Sequence, residues 1–113
     1  MDNRKDDSYF AKKSLEHIAA IKTYVSGKTY EDFMRDEEII DAVMFRIIQL
    51  TENVKRFSAE FKEEHSEFPW GELIGFRNGI VHDYGKTDYS IVYDSIVNDF
   101  DDLEEILLSF LGE

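Results

Sequence analysis

The sequence predicts an all-α fold, a mostly antiparallel bundle of about four to five helices. Three observations carry that prediction. Apolar residues recur at three- and four-residue spacings along almost the whole 113-residue chain. No stretch shows clean period-2 alternation bounded by turn residues, so strands are not expected. One proline and six glycines leave room for only short connections. The length suits a single domain over residues 1–113, long enough to bury a core.

A first helix is expected from about Asp7 to Ser26, with Phe10, Ile18, Ile21 and Val25 near one face and Gly27 as its stop. Thr29 with Asp32 forms a weaker version of the capping box and opens a short helix through Met34. One long helix from about Asp36 to Glu64 follows. Ile39, Ile40, Val43, Met44, Ile47, Leu50, Val54, Phe57 and Phe61 keep a helical spacing along it. The stretch HSEFPWGE breaks the chain and restarts it, with Pro69 suited to the first helical position, where a missing N–H costs nothing. The helix that begins there ends at Gly85. Thr87 or Asp88 caps a last helix whose apolar residues are Ile91, Ile96, Phe100, Leu103, Ile106, Leu107 and Phe110. The acidic run from Asp99 to Glu105 is read as its solvated face.

Composition excludes several classes of function. With no cysteine there is neither a disulfide framework nor a thiolate zinc site. No apolar run is long enough to span a bilayer, and the charged start of the chain lacks the apolar core of a secretory signal, so a cytoplasmic location is expected. The net charge of −12 argues against a protein that coats nucleic acid, because phosphate contacts demand cations. It permits a small site that uses a few local cations, or docking to a basic protein. His17 and His65 are isolated, lack metal-ligand spacing and read as surface residues. The Glu-x-x-His pairs of bundle metal sites are absent, so neither metal nor cofactor is expected.

The segment FRNGIVHDYG, residues 76–85, does not fit a plain amphipathic helix. At about 100° per residue, Trp70, Leu73, Ile74, Phe76, Ile80 and Val81 form one apolar arc. Arg77 and Tyr84 fall near its middle, seven residues apart, and Asn78 and His82 share the adjoining flank beside a row of Gly71, Gly75 and Gly79. An arginine in an apolar arc needs an anionic partner, since burial without one costs several kcal/mol. Each interior glycine costs about 0.8–1 kcal/mol relative to alanine, which suggests close approach of another backbone or a ligand. Blander readings exist for every residue. Arg77 can lay its stem on the core and pair with a carboxylate such as Glu52, His82 can meet the last helical carbonyls, Tyr84 can be a core ring, and Asn78 can bond to a neighbouring helix. Taken together, a histidine that titrates near neutrality, an arginine fork and an orienting amide suit metal-independent RNA cleavage through the 2′-hydroxyl. His82 would move the proton and Arg77 would stabilise the phosphoryl charge. Two copies facing each other would bring two of each into one cleft.

At Arg77-x4-His82-x-Tyr84, complete here as RNGIVHDY, the sequence resembles the HepT family, the toxin half of a two-gene toxin–antitoxin system within the HEPN superfamily. FPWGELIGFRNGIVHDYGKTD, YVSGKTYEDF and the long helix around Glu52 are also similar to family counterparts, so the resemblance covers essentially the whole chain. A tryptophan is common in the family where Tyr93 stands here. The resemblance implies a HEPN-like helical domain that forms a homodimer or a higher even oligomer around a shared cleft. It implies a ribonuclease toxin with Arg77 and His82 catalytic, supported by Asn78, and RNA as substrate. It also implies a nucleotidyltransferase antitoxin that transfers AMP to Tyr84. The alternative is a non-catalytic helical module that presents substrate or nucleotide to such a partner.

Overall fold

The computed structural model describes residues 4–82 and 88–112, without the side chains of 4, 5 and 79–82. Six helices follow one another: α1 (Arg4–Val25), α2 (Tyr30–Met34), α3 (Glu37–Lys55), α4 (Ala59–Glu64), α5 (Trp70–His82) and α6 (Tyr89–Phe110). The all-α expectation holds, and no strand occurs among the described residues. α1 packs against both α3 and α6, α2 lies against the same two helices, and α5 lies on α3.

α1 buries Asp7, Ala11, Ser14, Ile18, Ile21 and Val25, a run of three- and four-residue steps that keeps one face inward. Phe10 is only half-buried, at the edge of that face. The helix stops as expected at Gly27, whose φ of +72° is open to glycine and strained for other L-residues. Thr29 and Asp32 make the full capping box. The Thr29 hydroxyl accepts from the Asp32 N–H at 3.1 Å, and the Asp32 carboxylate accepts from the Thr29 N–H at 3.2 Å.

The single long helix expected between Asp36 and Glu64 is two helices. Ser58 takes an extended backbone, φ −64° and ψ 152°, and caps α4 by accepting from the Phe61 N–H. The break is held from far along the chain. The carboxylate of Asp7, buried on α1, accepts from the Ser58 N–H and from its hydroxyl, each at 2.8 Å. Phe57 and Phe61 still point at the core, which is why apolar spacing alone reads through the break.

At the last helix the Asp88 carboxylate accepts from the Ser90 N–H and hydroxyl, so Asp88 is the cap. These bonds hold its carboxyl below the usual carboxylate range. Thr87, the other expected cap, lies outside the described residues. The buried line is Val92, Ile96, Phe100, Leu103 and Leu107, whereas Ile91 is exposed. The helical phase at the start of α6 therefore differs by one residue from the expected one. Tyr93 turns its ring onto Tyr30 and Phe33 and donates its hydroxyl to the Lys28 carbonyl, tying α6 to the turn after α1.

Candidate active site

α5 is positioned by its first turn. Pro69 stands immediately before Trp70, one place earlier than the first helical position expected of it, and its carbonyl accepts from the Leu73 N–H. The Trp70 indole N–H donates to the His65 carbonyl at 2.9 Å, and its ring packs on Phe57, Phe68 and Phe110. An aromatic cluster thus anchors the start of the helix, where large rings bury the most area. Leu73, one turn on, is buried. Arg77 is four residues further, on the same face as Leu73, and so also faces α3.

The Arg77 guanidinium meets Glu52 there, Nη2 to Oε1 at 3.2 Å, with the arginine side chain 24% exposed and the glutamate 35% exposed. Its Nη1 donates to the Asn78 side-chain oxygen at 3.2 Å. Arg77 Nε is buried with no hydrogen-bond partner among the described residues. Lys55 approaches the same Glu52 oxygen at 3.7 Å, so one carboxylate lies between two cations. The anionic partner that the apolar arc required is present, and it is Glu52. The ion pair and the Asn78 contact hold the two terminal nitrogens of the fork in place.

Asn78 is exposed next to Arg77. His82 belongs to the same helix, five residues and about 7.5 Å of rise beyond Arg77. Its side chain, like the whole of Tyr84 and the expected helix end at Gly85, lies outside the described residues. Gly71 and Gly75 are exposed, and a Cβ built on either meets nothing within 4 Å. The close approach expected of the glycine row is therefore not made by this chain at those two positions.

The two other histidines are less superficial than expected. His65 is half-buried between the rings of Phe61 and Phe110, each centred 4.3 Å from its own. His17 Nδ1 lies 3.1 Å from Arg46 Nη1 on α3. Burial and then the Arg46 charge push the His17 pKa down from its ordinary 6.5. Both placements depend on residues distant in sequence, and spacing could not reveal them. Among the described residues no group of three or more His, Asp or Glu side chains could hold a metal ion. No helix is long and apolar enough to cross a membrane among them either.

A helical bundle with a half-buried arginine fork on α5, paired with a glutamate of α3, is the class that the fold and site define, and comparison with known proteins gives the family. The family described as ribonuclease HepT-like matches residues 14–110, and the chain belongs to that family. It is similar to "Putative RNase TTE0752" of Caldanaerobacter subterraneus subsp. tengcongensis, 33% identical over 80% of this chain and 85% of that protein. It is also similar to "Gamma-glutamylcyclotransferase and putative RNase MJ0434" of Methanocaldococcus jannaschii, 30% identical over 97% of this chain but only 50% of that longer protein. A third relative is "Probable ribonuclease HepT" of Thermococcus cleftensis, 27% identical over 79% of this chain and 81% of that protein. No solved structure matches the chain.

Proposed function

We propose that this chain is a metal-independent endoribonuclease that acts as the toxin of a toxin–antitoxin pair. The observation that carries the reading is the Arg77 fork, fixed by Glu52 and Asn78, in a chain of the ribonuclease HepT-like family. In the proposed reaction a neutral His82 imidazole takes the proton of an RNA 2′-hydroxyl. The 2′-oxygen attacks the adjacent phosphorus, and Arg77 pairs with the phosphoryl oxygens as negative charge builds on them. The bond to the 5′-oxygen breaks, and that oxygen takes its proton from the imidazolium of a second copy, leaving a 2′,3′-cyclic phosphate and a 5′-hydroxyl. The open positions Gly71 and Gly75 on α5 support a homodimer, since a second copy's helix can come close where no Cβ stands.

Regulation follows from Tyr84, two residues after His82. Transfer of AMP to its hydroxyl by a nucleotidyltransferase antitoxin would set a phosphate against Arg77 and block the path of RNA. The test uses the purified chain, an RNA substrate and EDTA. Cleavage is expected to persist in the chelator and to fall by roughly 100-fold or more in Arg77→Ala and in His82→Ala. Undiminished cleavage by His82→Ala would remove it from the mechanism. Intact mass after incubation with the nucleotidyltransferase and ATP should rise by one AMP, and Tyr84→Phe should abolish the gain. No cleavage, combined with tight binding to that partner, would favour the non-catalytic module instead.

A further inference from the structure

The acidic run of α6 divides between two faces. Asp101 and Glu104 face α1, where Lys22 Nζ meets them at 2.5 and 3.2 Å. Asp99 and Asp102, centred about 160° around the helix from the centre of that pair, line a groove of about 470 Å³ between α6 and the first half of α5. Consecutive helices with a short connection ordinarily pack as a hairpin. Here α5 lies on α3 and α6 on α1, and α5 and α6 meet through Trp70 and Phe110. Leu73, Phe76, Phe100, Leu103 and Ile106 form the floor. Both walls are acidic, with Glu67 and Glu72 on one and Asp99 and Asp102 on the other, and among the described residues no lysine or arginine lines the groove. Among the described residues no lysine or arginine pairs with any of these four carboxylates, and Glu67 meets only the His65 imidazole, at 3.4 Å.

An apolar floor between two anionic walls is the complement of a helix with an apolar stripe and cations on both flanks. RNA is repelled by the walls, and a second copy carries a net charge of −12. We propose that this groove docks a cationic amphipathic helical segment of a partner protein. Its apolar side chains lie on Phe76 and Ile106, and its lysines or arginines meet Glu72, Asp99 and Asp102. This surface is independent of the ribonuclease chemistry.

The probe is a fluorescein-labelled peptide of about 14 residues with leucine at i, i+4, i+7 and i+11 and lysine on both flanks. It is titrated with the full chain by fluorescence anisotropy. Binding is expected, and the combined Glu72→Gln, Asp99→Asn, Asp102→Asn variant should weaken it by about tenfold. All three positions are exposed, so this variant should keep its helical circular dichroism. The Asp101→Asn variant, altered on the Lys22 side, should change affinity by less than about twofold. Peptides with the leucines changed to serine, or the lysines to glutamate, should not bind. Failure of the leucine–lysine peptide to bind overturns the proposal. So does equal loss from Asp101→Asn, or equal binding of the serine peptide. If the triple variant instead loses self-association in sedimentation, the occupant is a second copy and the proposal also fails.

Discussion

At the scale of single residues, Arg77 is held rather than merely placed. Glu52 supplies the charge that lets a guanidinium stay 24% exposed on an apolar face, and Asn78 takes a second N–H. Removing Glu52 leaves the fork half-buried and unpaired. Glu52→Ala is therefore expected to cost about 1 kcal/mol of stability by denaturant melting, a figure discounted for partial exposure. In the proposed ribonuclease it should also lower kcat more than it raises KM, because a wandering fork is lost mainly from the transition state. A change confined to KM would show that Glu52 does not position Arg77. The partner of Arg77 was legible in the sequence as one of several carboxylates. Choosing Glu52 required the packing of α5 on α3.

At the scale of elements, the break between α3 and α4 shows where local reasoning ended. Helical spacing continues through Phe57 and Phe61, and nothing nearby is a strong breaker. The stop depends on Asp7, 51 residues away, whose carboxylate holds both the N–H and the hydroxyl of Ser58. Ser58→Ala deletes the hydroxyl bond to Asp7 and the cap of α4 together. It should lower stability by about 1–3 kcal/mol, measured by urea unfolding. A loss below about 0.5 kcal/mol would mean the break is held by aromatic packing alone. Several elements with local signals are legible in the sequence. The Thr29–Asp32 capping box and the Asp88 cap rest on bonds within a few residues, and the Gly27 stop rests on its own positive φ.

At the scale of the whole molecule, charge limits how RNA can be held. A net charge of −12 leaves little attraction beyond the site itself. If each copy in a dimer contributes one arginine to phosphate, about two counterions are released. The logarithm of RNA affinity should then fall against log salt with a slope of about −1.4. A slope steeper than about −4 would reveal a basic surface that this charge distribution does not provide. The same acidity favours the groove between α5 and α6 as a site for a basic protein segment.

The sequence by itself determined the all-α class, the local caps and stops, and the residues of the motif, because each is encoded within a helical turn or two. Tertiary structure decided which carboxylate holds Arg77, where the long helix breaks and that His65 lies between two rings. It also divided one acidic run into a face clamped by Lys22 and a face along an open groove. Those outcomes depend on contacts between residues far apart in the chain, and helical period carries no information about which distant face a helix will meet.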